Sequence, residues 1–368
     1  MLGSILSEAG YKTGTYFSPQ VEEFPERIRI NGKNATKSEI AAAYFQVSET
    51  CRSHKIDATF FEVVTAMALL VFSARKVDFA VLEVGLGGRL DATNAVEPVL
   101  SAITSISLEH TEILGKTLAK IAKEKCGVAR EGKPLVCGHL PPEAERAIAA
   151  ICKQKRAKPT FTQEEAKIIS LQEKSGAYSF KATFRGKEYA ISLSAPGSFQ
   201  VKNAITALSA ASLLGMGKSA IERGFAKAKP EFRLQKISSR PLVIADCAHN
   251  PEAAAALAAE LPQLLNGKKS ALLFSAMSDK DYKTTFATLA RHFDKVILTE
   301  VTLSRSASLE ELAGAAKKSG IAAVCIKPPK TAFKAAKSLA GKNGIVIVAG
   351  SIYLLSELFG RDKIRIAQ

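Results

Sequence analysis

LVIADCAHNPEAAAALAAELPQLL, residues Leu242–Leu265, places a short apolar strand, a polar turn and a long helical stretch in direct succession. The same alternation continues toward the end of the chain. Its further apolar runs are Ala271–Ser275, Lys295–Val301, Ala322–Ile326 and Gly344–Ala349. Helical stretches lie between them near Tyr282–Arg291, Leu309–Ser319 and Ala332–Leu339. Strands that alternate with helices of this length predict a parallel, doubly wound sheet, so we expect a Rossmann-like α/β domain from Phe232 to Gln368.

The first half of the chain is also α/β, in a less regular order. Its apolar runs predict strands at Val77–Val84, Pro98–Ser107 and Lys133–Cys137. The alternating pattern over Tyr178–Leu193 predicts an antiparallel hairpin that turns at Arg185-Gly186-Lys187. Because Pro230 disfavours a helical conformation at Lys229, we place a domain boundary there. The sequence thus predicts two domains, residues 1–229 and residues 232–368.

Composition and charge limit the functions to consider. The chain has 368 residues, with 51 Lys and Arg against 35 Asp and Glu, which gives a formal net charge of +16. Such a balance suits polyanionic partners. The basic residues are dispersed, however, and the chain has no Trp with which to stack bases. Nucleic-acid binding is therefore the less favoured function.

The lack of a recognisable targeting signal and the spacing of the cysteines indicate the cellular compartment. No run of 18 apolar residues without a charge occurs, and the first 16 residues lack a basic start followed by an apolar block. The six cysteines form no C-x-x-C pair, which argues against a zinc site or a disulfide scaffold. We expect a cytoplasmic monomer that binds neither a membrane nor nucleic acid.

A glycine-rich loop follows the strand predicted at Val77–Val84. It has the sequence EVGLGGRLDATN, residues Glu83–Asn94. Position 90 is Leu where a dinucleotide-binding fingerprint has Gly, so a dinucleotide site is not indicated. Polar groups at the carboxyl end of a parallel strand favour a ligand site, and a simple glycine turn is the alternative. A second glycine sequence, Gly217-Lys218-Ser219, lacks the first Gly of a phosphate loop and predicts a turn between helices.

Further polar residues lie at predicted strand and helix ends. His110 follows a strand and Lys125 ends a helical stretch, so with Glu83 they are candidates for a metal site; for His110 a structural role is the alternative. Asp246 and His249 follow the strand Leu242–Ala245, and Pro251 then begins a helix. A helix start attracts anions and a carboxylate holds a hydroxyl or ammonium group, although a simple helix cap is the alternative.

Several longer strings carry a resemblance to a known family. The chain resembles folylpolyglutamate synthases and their bifunctional forms with dihydrofolate synthase, within the Mur ligase superfamily. The strings are SPQVEEFPERIRING (Ser18–Gly32), FFEVVTA (Phe60–Ala66), EVGLGGRLDATN (Glu83–Asn94), SLEHT (Ser107–Thr111), KEKCGV (Lys123–Val128), RLQ (Arg233–Gln235) and DCAHNP (Asp246–Pro251). They occur in family order along the whole chain.

The resemblance implies a fold and a reaction. The fold would be a P-loop-type ATPase domain followed by a smaller, Rossmann-like glutamate-ligase domain. In the reaction, ATP phosphorylates the carboxylate of a dihydropteroate or reduced folate, and the amino group of L-glutamate attacks the acyl phosphate. The implied ligands of Mg²⁺ are Ser18, Glu83 and His110. The implied catalytic residues are Glu83, His110 and Lys125, which would be carbamylated.

The resemblance also implies binding residues for each substrate. Contacts with ATP fall on Asn203, Arg233 and Asp246. Contacts with the pteroate group fall on Thr59, Phe60, Phe61, Glu62, Leu90, Asp91 and Ala92. Contacts with the incoming glutamate fall on Asp246 and His249.

Two departures from the family pattern affect these expectations. Ser18-Pro19-Gln20 stands where the family has S-P-H. The family also has a strand and a G-T-N-G-K-G-S phosphate loop directly before the helix that begins here at Met1. We therefore expect residues 1–368 alone to bind ATP poorly and to ligate little or no glutamate. A misplaced start, or a truncated and catalytically impaired relative that keeps only binding surfaces, is the alternative to an active ligase.

Overall fold

The computed structural model describes residues 1–20, 22–174 and 176–360. These residues separate into two units. The first comprises residues 1–20, 24–194 and 200–229. The second comprises residues 195–199 and 230–360 together with Glu22 and Glu23. The chain passes into the second unit for the last time between Lys229 and Pro230.

The first unit contains helices of very different lengths. They are α1 (Leu2–Glu8), α2 (Lys37–His54), α3 (Phe60–Ala74), α4 (Thr111–Leu114), α5 (Leu118–Lys125), α6 (Pro142–Lys155), α7 (Thr162–Glu165), α8 (Phe199–Leu213, whose first residue belongs to the second unit) and α9 (Lys218–Lys227). Short 3₁₀ helices occur at Phe24–Arg27, Ala92–Ala95 and Cys126–Val128.

The strands of the first unit form three sheets. They are β1 (Thr13–Tyr16), β2 (Ile28–Ile30), β3 (Lys33–Asn34), β4 (Phe79–Leu82), β5 (Ser101–Ile103), β6 (Pro134–Cys137), β7 (Lys158–Phe161), β8 (Ala166–Lys174), β9 (Ala177–Phe184) and β10 (Lys187–Leu193). The sheet orders are β3-β2-β1-β4, the parallel β5-β6-β7 and the antiparallel β10-β9-β8. In the first of these sheets β1 and β4 are parallel, with Tyr16 opposite Leu82. The residues that follow β1 and β4 therefore meet at one edge of that sheet.

Helix α3 covers the β1–β4 region because its apolar residues recur at helical spacing. Val64, Ala68, Val71 and Phe72 are all buried in one cluster with Tyr16 of β1. The Phe72 ring packs directly against Gly14, where an added Cβ would lie 2.6 Å from a ring carbon. A side chain at position 14 would therefore displace α3 from the strand that leads to Ser18.

The second unit is a six-stranded sheet between two layers of helices. Its strands are β11 (Gln235–Ser239), β12 (Leu242–Ala245), β13 (Ser270–Phe274), β14 (Lys295–Leu298), β15 (Ala323–Cys325) and β16 (Ile345–Ala349), in the order β11-β12-β16-β13-β14-β15. Its helices are α10 (Pro251–Leu265), α11 (Tyr282–Ala290), α12 (Leu309–Lys318), α13 (Pro329–Ala340) and α14 (Ile352–Phe359). The side chains of α10–α12 share one apolar cluster and those of α13 and α14 share another. Successive residues of β13 alternate between the two clusters, so the sheet is covered on both faces.

The expected architecture of the second unit is confirmed. All its strands except β11 pair in parallel, and the helices lie where the periodicity predicts them. In the first unit the hairpin is confirmed as β9 and β10, and Lys218 begins α9 directly after Gly217, so the glycine sequence there is a turn between helices. The strand expected at Pro98–Ser107 is wrong in its extent, because only Ser101–Ile103 pairs with a neighbouring strand.

Two further properties concern the helices and the cysteines. Across residues 1–20, 22–174 and 176–360, no helix is both long enough and apolar enough to cross a membrane. All six cysteines are free thiols.

Candidate active site

Ser18 and Glu83 meet where β1 and β4 end. The backbone N–H of Ser18 donates a hydrogen bond of 3.0 Å to Glu83 Oε2, and the Glu83 N–H donates to the Tyr16 carbonyl oxygen at 2.9 Å. Parallel pairing of the two strands places both residues at the same edge of the sheet. The structure therefore brings together a carboxylate and a serine that the sequence places 65 residues apart.

Asp91 fixes the conformation of the glycine-rich loop, Glu83–Asn94. Its Oδ2 accepts hydrogen bonds from the N–H groups of Gly85, at 3.0 Å, and Leu86, at 2.9 Å. Its Oδ1 accepts from the Thr93 N–H at 3.0 Å and from the Thr93 hydroxyl at 2.6 Å. The Asp91 carboxylate therefore holds both ends of the loop, which ties the chain after Glu83 to one shape.

His110 and Lys125 stand on two further segments of the same unit. His110 precedes α4 with a φ of +51°, and its Nε2 lies 3.7 Å from Glu109 Oε1. Lys125 is the last residue of α5 and is half-buried. The Lys125 segment touches the glycine-rich loop, since a Cβ on Gly88 would lie 2.7 Å from the Lys125 carbonyl oxygen.

The donor atoms near Glu83 fit a hard cation. Within the described ranges, no three His, Cys, Asp or Glu side chains are grouped as a metal site. A cation at Glu83 would therefore need the Ser18 hydroxyl and other oxygens beside the carboxylate. Mg²⁺ accepts such a set, because it commonly uses one or two carboxylates and completes its shell with water and phosphate oxygens.

Thr59 and Glu62 begin helix α3. The Thr59 N–H donates to Glu62 Oε2 at 2.7 Å, and the Glu62 N–H donates to the Thr59 hydroxyl at 3.3 Å, which is a reciprocal capping box. The bonds from the Thr59 backbone and hydroxyl lower the pKa of Glu62. Both polar side chains are thus engaged with each other at the helix start.

Phe60, at this helix start, and Leu90, on the glycine-rich loop, have exposed apolar side chains. Phe60 is 55% exposed, and the Arg27 guanidinium lies 5.4 Å from its ring centre. Phe61 packs over Gly85, where an added Cβ would lie 2.5 Å from its ring. Leu90, on the glycine-rich loop, is 81% exposed. Beside the loop, the first unit thus presents exposed apolar and aromatic side chains, of the kind that contact flat ring systems.

In the second unit, Asp246 organises the turn after β12. The side chain is buried, and its two oxygens accept from the N–H groups of Leu234 and Ala248, each at 2.8 Å. Burial raises the pKa of Asp246, while the Arg233 charge and these two bonds oppose the rise. Asp246 therefore joins the turn before β11 to the turn after β12.

Arg233 and His249 lie on these two turns. Arg233 is exposed between Phe232 and Leu234, which are both buried and both have a positive φ, near +50°. His249 Nδ1 lies 2.9 Å from the Cys247 carbonyl oxygen, a bond that orients the ring. Asn250 accepts the Ala253 N–H and caps α10, so the helix start predicted here is present.

Asn203 and Gln20 complete the set of residues singled out from the sequence. Asn203 is exposed on α8 and donates to Gln200 Oε1 at 3.2 Å. Gln20, which replaces the family histidine, accepts a hydrogen bond from Arg27 Nε. Sequence reasoning did not single out Arg27 by itself, although it lies within the string Ser18–Gly32. It also missed Arg130, which belongs to none of the strings quoted above. Folding brings its side chain to Asn94, at the end of the glycine-rich loop.

Family models match both halves of the chain. A model described as "Mur ligase middle domain" matches residues 31–211, and one described as "Mur ligase, glutamate ligase domain" matches residues 232–352. The dihydrofolate synthase/folylpolyglutamate synthase of Bacillus subtilis (strain 168) is 34% identical over 374 residues, which covers 98% of this chain and 86% of the relative. The matched regions therefore span both units.

Solved structures show the same similarity in three dimensions. E. coli FolC in complex with DHPP and ADP has a TM-score of 0.86 at 31% identity, over 96% of this chain and 83% of its own. The bifunctional folylpolyglutamate synthase/dihydrofolate synthase from Yersinia pestis, complexed with AMPPNP and a Mn ion, has a TM-score of 0.83 at 33% identity, over the same shares. The likeness in fold thus covers nearly the whole chain.

Proposed function

Because the chain belongs to the dihydrofolate synthase/folylpolyglutamate synthase family, we propose that it is an ATP-dependent ligase that adds L-glutamate to dihydropteroate, to folylpolyglutamate or to both. The acceptor carboxylate attacks the γ-phosphate of ATP, the bond between the β- and γ-phosphates breaks, and an acyl phosphate and ADP form. The glutamate amine then attacks the acyl carbon, and phosphate leaves. The observation that carries this proposal is the meeting of Ser18 and Glu83 at 3.0 Å beside the ordered glycine-rich loop.

Ser18, Glu83 and His110 are the residues that we assign to hold Mg²⁺. When bound, the cation neutralises charge on the transferring phosphoryl group. Carbamylation of Lys125 would convert its amine into a further carboxylate, whose oxygens suit a hard cation better than an ammonium does. The ordered loop supports this assignment, since Asp91 fixes the chain directly after Glu83.

Substrate positioning is assigned to four further residues. Asn203, Arg233 and Asp246 bind ATP, and Arg233 is exposed with a cationic group that suits phosphate. Asp246 and His249 bind the incoming glutamate, for which the oriented imidazole and the carboxylate offer polar partners. Held in this way, the reacting groups gain rate through proximity.

The acceptor site is assigned to the start of α3 and to the glycine-rich loop. The exposed Phe60 ring and Leu90 side chain support contact with a flat pteridine ring. The assigned residues are Thr59, Phe60, Phe61, Glu62, Leu90, Asp91 and Ala92. Among them, Thr59, Glu62 and Asp91 already shape the local backbone, so they act by holding the site as well as by any direct contact. We further propose a cytoplasmic monomer.

A product assay with a matched pair of variants tests the proposal. The full-length natural protein is incubated with ATP, Mg²⁺, L-glutamate and either dihydropteroate or a reduced folate, and products are identified by mass spectrometry. We expect one glutamate to be added at each turnover. Glu83→Gln should lower the rate at least about a hundredfold, because loss of a metal-binding carboxylate removes several kcal/mol of charge stabilisation.

The control is Glu49→Gln, the same change on the exposed surface of α2. It should leave the rate unchanged, and both variants should melt within about 2 °C of the wild type. Equal rates for Glu83→Gln and wild type would contradict the role of Glu83. A protein that binds its substrates without forming product would favour the catalytically impaired relative instead.

A further inference from the structure

The glycine-rich loop and the chain around Lys125 are packed backbone against backbone. We call residues Glu124–Arg130 the lysine segment. The Arg89 N–H donates to the Glu124 carbonyl oxygen at 3.0 Å. A Cβ on Gly127 would lie 2.3 Å from Arg89 Cα, so no side chain fits between the two segments there. The position of one segment therefore restricts the position of the other.

Arg130 bonds to both segments through one guanidinium group. Its Nη2 donates to Asn94 Oδ1 at 2.8 Å and to the Asn94 carbonyl oxygen at 3.1 Å, at the end of the glycine-rich loop. Its Nη1 donates to the Gly127 carbonyl oxygen at 3.1 Å, within the lysine segment. Its Nε donates to Glu97 at 3.2 Å, and the side chain is only 22% exposed. All three guanidinium nitrogens are thus engaged.

Asn94 completes the connection from the other side. Its Nδ2 donates to the Arg89 carbonyl oxygen at 3.1 Å and reaches the Gly127 carbonyl oxygen at 3.5 Å. The Gly127 oxygen therefore receives donors from Arg130 and Asn94 at once. A planar guanidinium presents its N–H donors in a rigid fork, so its bonds specify geometry more tightly than those of a lysine ammonium.

We propose that Arg130 is a positioning residue, which holds the glycine-rich loop and the lysine segment in one fixed arrangement. The inference rests on the proposed roles of Glu83, which begins the loop, and Lys125, which lies in the lysine segment. Arg130 touches no substrate in this scheme. It acts because displacement of a catalytic group by about 1 Å costs about a hundredfold in rate.

Arg130→Met tests the proposal, with Arg156→Met as the matched control. Arg156 lies in the same unit and pairs with Glu131 at the surface, where its side chain is 80% exposed. Hydrogen exchange is measured on peptides that cover residues 85–95 and 124–130 of the full-length protein. We expect Arg130→Met to accelerate exchange in both peptides together and Arg156→Met to change neither. Acceleration in the 124–130 peptide alone, or in neither peptide, would overturn the proposal.

Mn²⁺ binding provides the readout at the site itself. Binding is measured in bicarbonate buffer by electron paramagnetic resonance. Arg130→Met should weaken binding of Mn²⁺ about tenfold or more, because loss of a residue that orients the metal ligands commonly has an effect of that size. Arg130→Lys keeps the charge without the planar fork and should weaken binding to an intermediate degree. Equal Mn²⁺ affinity in wild type and Arg130→Met would overturn the role proposed for Arg130 and leave the metal assignment standing. A wild-type protein that binds no Mn²⁺ would overturn the metal assignment, and this inference with it.

Discussion

At the scale of single residues, His249 offers a test that separates glutamate binding from acceptor phosphorylation. Its ring is oriented by the bond from Nδ1 to the Cys247 carbonyl oxygen. We expect His249→Ala to raise the KM for glutamate about tenfold, because one hydrogen bond to a charged group contributes about 1.5 kcal/mol. Phosphorylation of the acceptor should change less. The control is His54→Ala, on the exposed surface of α2, and an unchanged KM in His249→Ala would contradict the assignment.

The residue scale also shows what the sequence alone cannot predict. Carboxylates near strand ends are predictable, because apolar runs locate the strands. The sequence does not predict which of these carboxylates shapes a turn, because that depends on where backbone N–H groups point after folding. Asp91 accepts three backbone N–H groups and Asp246 accepts two, whereas Glu83 accepts the Ser18 N–H and is exposed. The site roles of all three remain predictions.

At the scale of secondary structure elements, the start of α2 predicts a pH dependence of stability. Glu39 accepts bonds from the Thr36 N–H and hydroxyl and from the Arg75 guanidinium. The Arg75 bond, followed by those from Thr36, lowers the pKa of Glu39 to about 2 from an ordinary value of 4.5. A pKa that is lower in the folded state stabilises the fold above about pH 4.5, and this stabilisation is lost as the pH falls toward 2.

Glu39→Gln tests this pH dependence. At pH 7 the variant should lose about 1 kcal/mol of unfolding free energy, which is typical of a cap joined to a partly exposed ion pair. The difference from wild type should shrink as the pH is lowered from 4.5 toward 2, as measured by urea denaturation. Glu49→Gln, in an exposed pair with Arg52, should cost no more than a few tenths of a kcal/mol at pH 7. A constant difference for Glu39→Gln across this pH range would contradict the expectation.

Elements with a strong hydrophobic period are the ones that the sequence predicts well. The buried strands β12, β13 and β16 are continuous apolar runs, and their order along the chain indicates the parallel sheet. Strand β8 is exposed along nearly its whole length, and β11 is a polar edge strand. Neither has an apolar run or a one-sided pattern, so pairing with a neighbouring strand, and not burial, determines them.

At the scale of the whole molecule, the domain division is tested by limited proteolysis. We expect a protease specific for glutamate to cut after Glu231, in the region between Lys227 and Lys236 where the chain last changes unit. A denaturing gel should then show one fragment that ends at Glu231 and one that begins at Phe232. A body that resists cleavage throughout this region would contradict a boundary there. Until then the division into residues 1–229 and 232–368 stays a prediction.

Ligation through an acyl phosphate is tested most directly by isotope transfer. The full-length natural protein is supplied with ATP, Mg²⁺, L-glutamate and an acceptor whose carboxylate carries ¹⁸O, and the released phosphate is analysed by mass spectrometry. If the carboxylate attacks the γ-phosphate and the amine then expels phosphate, one labelled oxygen moves from acceptor to phosphate at each turnover. We predict this transfer in wild type and its loss, together with the product, in Glu83→Gln. Ligated product accompanied by unlabelled phosphate would contradict the acyl-phosphate route.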